Sequence, residues 1–596
     1  MSSVTEFLAS VPMFRGLRQE ELDELASSLR ETRYKVGELV LSQGAKNDAL
    51  YFLRSGHLAV RVNRPGARET IAFLQPPAVV GDLSLITGKP CSADVEVVVD
   101  ADVLMLPRDA FTRLAAHRGE LLWALVEVLG DRLHTSTLRG AIVAEPVVAL
   151  LRAHANWPAP VSFAEELGRS LARQMRSDTL VVTLGAAAAV RSIGPQTFAV
   201  GLSTQIGAAD LRSALARELT EWRKQFPFIV VNPRRDRGIA PYEAAAPLAN
   251  AFGELLGPGD SPASAEEEKA KRFLLSAESR GLPWLSGGRQ IIRDAAESER
   301  SYVAGGPTTV RFRRTVDSIA RYVATVQVGL ALGGGAAWGL AHIGILMALE
   351  RAGVPVDVVS GCSMGTIVGA VRCSGRTLNE MREIADTLGR RRRRFIEPRL
   401  WRLHLVSERE VRKALSEFFG ELALEELEIP LWMNALDVAT GEELSLRDGP
   451  LSDAILAAIA MPGLLPPLKR GDRLLVDAGF SDPVPVSQVR NMGCTYAIAV
   501  NAMQPVGAQK IIERYPLNSL DVLYRCLRVT GYELGEARCH RVADVVVEPR
   551  VGDISWLDFH RSQELIEAGE RAADAKMSAI LGGYERLKSL RSWNQS

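Results

Sequence analysis

Cysteine is scarce in this chain: six among 596 residues, at positions 91, 362, 373, 494, 526 and 539, with no CxxC pair. That spacing excludes a disulfide-built scaffold and suits a reducing compartment, so a cytoplasmic protein is expected. Net charge is lacking as well, since 71 Lys and Arg face 71 Asp and Glu. No global field therefore recruits nucleic acid, and no nucleic-acid partner is expected. Apart from the core strand and helix that glycines 333–335 interrupt, no uncharged apolar run reaches the roughly 18 residues of a membrane span. The N-terminus lacks a basic segment followed by a cleavable apolar stretch. Lipid, if it is met at all, is met from the surface. Potential metal ligands do not cluster, so neither metal nor cofactor is expected.

What the chain does have is length for three or four domains and a composition, 47% hydrophobic and 24% charged, typical of globular ones. The most informative stretch is 326–369. There an apolar run (326–332), a triple glycine (Gly333, Gly334, Gly335), a helical pattern (339–350), a second apolar run (354–359) and Gly361-Cys362-Ser363-Met364-Gly365 follow in order. Both apolar runs read as buried strands of a parallel sheet. Gly361 and Gly365 permit a tight strand-to-helix turn that lifts the Ser363 hydroxyl above the sheet, with a helix over 364–373 beginning beneath it. The glycine loop, at the carboxyl end of the neighbouring strand, offers the backbone N–H groups of Gly334, Gly335 and Ala336 to an oxyanion. An alanine at 336 keeps its N–H provided the turn needs no positive φ there.

Further on, a short strand over 473–476 delivers Asp477 to a loop behind the stiff segment 462–467. The elbow around Ser363, the glycine loop, the Met461-Pro462 to Pro467 segment and the Asp477 loop resemble the patatin-like phospholipases. The likeness is to the neuropathy target esterase branch, which carries cyclic-nucleotide-binding domains in front. That resemblance implies a three-layer α/β/α hydrolase in which Ser363 is the nucleophile and Asp477 its general base, without histidine. It implies a phospholipid or lysophospholipid ester as substrate, ahead of a neutral ester. The carboxylate then takes the hydroxyl proton directly, which favours a desolvated Asp477 with a raised pKa. The family's glycine and basic residue stand here as Ala336 and Trp338, and its Asp-Gly-Gly or Asp-Gly-Ala as Asp477-Ala478-Gly479.

Residues 1–140 pass from a helical period through short strands with turn glycines at 37, 44 and 56 and back to helix at 121–133, the order of a β-roll. With Gly37-Glu38, Gln43-Gly44 and Asp48 this resembles the cyclic-nucleotide-binding domain, whose phosphate cassette aligns with Gly81-Asp82-Leu83-Ser84-Leu85 through Cys91-Ser92. The resemblance implies a glutamate at Asp82 and a phosphate-pairing arginine at Cys91. Losing that guanidinium removes a charge-assisted contact, so tight cyclic-nucleotide binding is not expected.

Residues 141–256 alternate β-like and helical segments, similar to the Rossmann-like spacer of the same branch; no GxGxxG follows a strand, so it reads as a docking layer. The glycine, proline and serine of 257–271 read as a linker, and 272–325 as a helical lead-in with helices at 289–302 and 316–324. The catalytic unit is expected over 326–490, and 491–596 as an extension packing on it without chemistry of its own. Arg390 to Arg394, followed by Phe395, Leu400 and Trp401, is the candidate for peripheral membrane contact, against a solvated helix end. Two rivals stay open. One is a Ser-Asp-His α/β-hydrolase using His540 or His560 with Asp437 or Asp477; the other is a non-catalytic scaffold binding lipid or protein.

Overall fold

The computed structural model describes residues 3–591 apart from 12–13, 15–17, 36, 65–66, 75, 118–145, 155–159, 186–187, 204–207, 234–238, 257–270, 277–288, 293–309, 392–405, 506–518 and 552–553. Helices Ser3–Ser10 and Gln19–Ser28 lead into an antiparallel roll of β1 Arg30–Tyr34, β2 Leu39–Leu41, β3 Ala49–Arg64, β4 Ala67–Leu74, β5 Ala78–Val80 and β6 Asp94–Pro107. Side chains alternate along a strand, so Leu50, Phe52, Leu104 and Leu106 fill one core while Leu53, Val103 and Ala101 fill the other. The helix expected at 121–133 lies outside the described residues.

The middle unit is one sheet of β7 Val147–Ala153, β8 Thr179–Gly185, β9 Ala188–Gly194, β10 Thr197–Ser203, β11 Phe228–Pro233, β12 Ala251–Leu256, β13 Lys271–Ser276 and β14 Arg289–Ile292. Their order is β14-β13-β12-β7-β11-β8-β10-β9, parallel except for β9. The sheet continues past the expected linker: β12 and β13 pair in parallel on either side of it. Arg289–Ile292 is a strand where a helix was expected, because the open edge of β13 offers Ile291 and Ile292 a ladder from Leu275 and Ser276. Helix Val310–Val323 then joins this unit to the next, Asp317 accepting from Ser170 at 2.6 Å while Ile319 and Val323 share a core with Phe163 and Leu171.

The third unit contains β15 Val328–Leu332, β16 Val358–Gly361, β17 Leu431–Asp437, β18 Glu443–Leu446, β19 Leu468–Arg470, β20 Arg473–Asp477, β21 Tyr496–Val500 and β22 Val545–Val547. The order is β19-β20-β17-β16-β15-β21-β22, with β18 also on β17. β17, β16, β15, β21 and β22 are parallel; β18 and β20 run antiparallel to β17. Every residue of β15 and β21 is buried, because helices cover both faces. Leu330 and Ile498 pack with Ile345 and Ile566 on one side, and Ala331 and Ala497 with Val489 and Cys539 on the other. β16 begins later than the apolar run 354–359 suggests, since Pro355 cannot donate to a ladder. β21 and β22 belong to this sheet, so 491–596 is part of the unit and not an appendage.

Candidate active site

β15 and β16 end level, Leu332 opposite Gly361, so the glycine loop and the Ser363 turn leave the sheet side by side. Ser363 caps helix Met364–Cys373 at φ 51° and ψ −120°. A side chain in that region costs about 1–3 kcal/mol, tolerated where the surroundings over-determine it. They do here: a Cβ on Gly365 would stand 2.2 Å from the Leu332 carbonyl oxygen, and one on Gly361 2.7 Å from Thr366 Cα. Both glycines are thus demanded by close approach, and Ser363 is left 9% exposed above them.

Gly361 pairs with Met433 and Asp477 with Ala435, so antiparallel β20 lowers Asp477 to the level of Ser363. Asp477 is 1% exposed. Its Oδ1 accepts the Gly479 N–H at 2.8 Å and the Cys362 thiol at 3.7 Å. Burial raises its pKa to about 6, opposed by hydrogen bonding from Ser363, Gly479 and Cys362. Oδ2 has no well-formed partner among the described residues, so the Ser363 contact is looser than a full bond. Such pairs commonly tighten only when substrate arrives. Cys362 itself is fully buried, and desolvation beside Asp477 pushes its thiol well above the usual range, so it stays protonated.

The glycine loop is pinned from several directions. Gly333 donates to Val500 O at 3.0 Å and Gly334 to Pro483 O at 2.9 Å, while Ala337 donates to Trp556 O at 2.9 Å. The Trp338 indole N–H reaches Ile554 O at 2.8 Å. Of the three expected oxyanion donors, Gly334 is therefore spent, its N–H turned toward the Pro483 carbonyl. The N–H groups of Gly335 and Ala336 meet no acceptor among the described residues. Ala336 does adopt positive φ, 48°, so the alanine keeps its donor at a strain of about 1–2 kcal/mol. Sequence reasoning gave the C-terminal region no part here, yet carbonyls 554 and 556 hold the loop, and Gly531 of helix Ser519–Val542 lies against Gly479 O. Only contact across two hundred residues reveals this.

His342 contributes more than packing. It is 0% exposed, Nε2 stands 2.8 Å from Gly333 O, and Nδ1 meets no partner among the described residues. A carbonyl can only accept, so Nε2 carries the proton, and burial lowers the pKa to about 4, keeping the ring neutral. Replacing His342 by Ala frees the loop's first carbonyl; a misplacement near 1 Å is expected to lower kcat about 10²-fold with KM little changed. Steady-state kinetics check this, with partial recovery in His342→Gln, whose amide can still donate.

The rival histidines, His540 and His560, are both exposed, and His560 faces Asp558 at 3.9 Å. Asp437 binds the N–H groups of Ala439 and Leu474 and the Thr440 hydroxyl, a turn-holding role. Asp482, raised to about 6 mainly by burial, pairs with Arg538 at 3.2 Å, and its carbonyl accepts from Asn434. The arginine run Arg390–Arg394 passes beyond the described residues after Arg391.

In the N-terminal roll, Gly81 is left-handed at φ 88° and Asp82 starts a six-residue helix. Asn47 Nδ2 bonds Ala49 O, Gly81 O and Ser84 Oγ at 2.8–3.1 Å, and the buried Cys91 thiol faces Ser84 Oγ at 3.8 Å. Asn47 and Ser84 are thus bonded to each other, and Ser92 is exposed.

Residues 330–490 match the family model for patatin-like phospholipase and residues 31–118 that for the cyclic nucleotide-binding domain. An NTE family protein of Mycobacterium tuberculosis is 36% identical over 176 residues, 29% of this chain and 49% of its own, so the chain spans about half the length of that relative. A second NTE family protein of the same organism is 22% identical over 607 residues, covering 96% of each. The human patatin-like phospholipase domain-containing protein 6 is 23% identical over 524 residues, 80% of this chain and 38% of its own.

Proposed function

Starting from a chain that carries a patatin-like phospholipase domain behind a cyclic nucleotide-binding domain, we propose that it is a serine acyl-ester hydrolase acting on phospholipids or lysophospholipids through Ser363 and Asp477. Ser363 attacks the ester carbonyl as Asp477 accepts its proton. The N–H groups of Gly335 and Ala336 receive the charge on the tetrahedral oxygen. The proton then passes to the leaving alcohol, the acyl chain stays on Ser363, and water activated by the same carboxylate releases the fatty acid. The observation that carries this reading is the strained, glycine-flanked Ser363 beside a buried carboxylate whose pKa lies near 6. A base with that pKa is ionised at neutral pH yet basic enough to share a proton in the transition state. The N-terminal roll, with a cysteine and not an arginine at position 91 of its cassette, is assigned a docking or regulatory role without tight cyclic-nucleotide binding.

The test is covalent labelling by a fluorophosphonate together with turnover on a lysophospholipid panel. Wild type is expected to label at Ser363 and release fatty acid, and Ser363→Ala to do neither. Equal labelling of Ser363→Ala would leave the scaffold reading standing.

A further inference from the structure

Among the described residues of the third unit, the large apolar side chains left exposed are Val438 at 48%, Leu474 at 39%, Val529 at 39%, Leu557 at 47% and Leu581 at 36%. Single exposed apolar residues are ordinary. Four of these five nevertheless stand on or beside elements that hold the glycine loop or carry Asp477. Leu557 follows Trp556, whose carbonyl holds Ala337, and Val529 precedes Gly531, which packs on the Asp477 turn. Val438 and Leu474 are neighbours, Val438 donating to Leu474 O at 3.0 Å.

Register places that last pair. β17 runs parallel to β16, so its carboxyl end points the same way as the Ser363 turn, and β20 comes back along it with Leu475 opposite Asp437 and Asp477 opposite Ala435. Leu474 precedes Asp477 by three residues, which at about 3.3 Å each puts it about 10 Å beyond the level of the carboxylate. The turns 439–442 and 471–472 extend further still. Charge there is balanced: Arg470 pairs with Asp448 at 3.1 Å and Arg473 with Glu442 at 2.7 Å, leaving Lys469, which lies opposite Leu474, and Asp472. Paired, near-neutral charge around protruding apolar side chains suits insertion into a lipid surface more than attraction to an anionic one.

We propose that the adjoining ends of the β17–β18 and β19–β20 hairpins, through Val438 and Leu474, dock the protein on a lipid–water interface with the Ser363 opening facing it. This rests on the reading of the site as a lipid ester hydrolase.

The experiment uses the full chain carrying Ser363→Ala, so that binding is read without turnover, and phosphatidylcholine vesicles as probe. Cosedimentation is expected, little changed by salt, and the double variant Val438→Ser/Leu474→Ser is expected to weaken it by on the order of tenfold per side chain. On the catalytic background the same double variant keeps its rate on a short monomeric ester and loses rate on vesicle lipid in parallel with binding. Unchanged cosedimentation of the double variant overturns the proposal. So does binding confined to phosphatidylglycerol vesicles and abolished by salt, which would point to the arginine run. Self-association of the chain that disappears in the double variant would make the patch a protein interface and overturn it as well. Failure to hydrolyse even the monomeric ester would count against the function proposed above, while cosedimentation would still decide the docking.

Discussion

Asp477→Asn is expected to lower kcat by roughly 10³–10⁴-fold while making the protein more stable at pH 8. The amide cannot take the Ser363 proton, and the rival bases His540 and His560 are exposed whereas Asp477 is buried. Fluorophosphonate labelling should slow by a similar factor. The stability gain follows from burial. The folded carboxyl titrates at about 6 against 3.8 in the unfolded chain, so the fold prefers the neutral form. That preference is fully present below pH 3.8 and is lost as pH rises through 6, a difference of about 3 kcal/mol at neutral pH. Asparagine, always neutral, escapes that loss. Retention of kcat within tenfold would remove Asp477 from the mechanism and return the histidines to consideration.

The same titration sets the pH profile of the wild type: kcat/KM should climb with unit slope to a midpoint near pH 6 and level off above it. Stability moves differently, because three buried groups titrate in the same window. Asp477 and Asp482, both raised to about 6, favour the fold at low pH and cease to as pH rises through 6. His342, lowered to about 4 from 6.5, does the reverse, its contribution complete above 6.5 and lost as pH falls through 4. The opposition softens the net dependence, so activity should fall in mild acid before the fold does.

Much of this site could be read from the chain because its constraints are local. A serine between glycines two residues to either side, after an apolar run and before a helical period, specifies a turn that few other sequences satisfy. Helix Met364–Cys373 came out as the spacing predicts. What could not be read lies in contacts between distant segments. No spacing says that Pro483 O consumes the Gly334 N–H, or that Ile554 and Trp556 carbonyls clamp the loop. The stretch 257–271 has the composition of a linker, but composition reports only that a segment is polar, and here it joins two parallel neighbours of one sheet. Likewise Arg289–Ile292 becomes a strand because an edge is vacant beside it, a fact held by β13 and not by its own residues.

Asp357→Ala should cost about 3–5 kcal/mol of stability in the third unit while sparing the chemistry of molecules that remain folded. Asp357 is 0% exposed at the foot of β16, on the sheet edge opposite Ser363. Its oxygens accept from Arg321 Nε at 3.0–3.1 Å and Arg321 Nη2 at 2.9 Å, from Ser318 Oγ at 2.7 Å and from the Val328 N–H at 3.0 Å. That single carboxylate therefore fastens helix Val310–Val323 to the starts of β15 and β16, the two strands whose far ends present the glycine loop and the serine. Removing it leaves Arg321, itself only 8% exposed, charged and uncompensated, and the penalty of that orphan exceeds the worth of the pair. The double replacement Asp357→Leu with Arg321→Met takes away both charges and should recover most of the loss. Because the chain holds several cooperative units, the measurement is urea-dependent pulse proteolysis scored on the third unit alone, with the initial rate per folded molecule beside it. A loss below 1 kcal/mol in Asp357→Ala would mean that water reaches Arg321 and that the clasp is weaker than its geometry implies. A drop in rate per folded molecule would mean that strain at the foot of the strands is felt at Ser363.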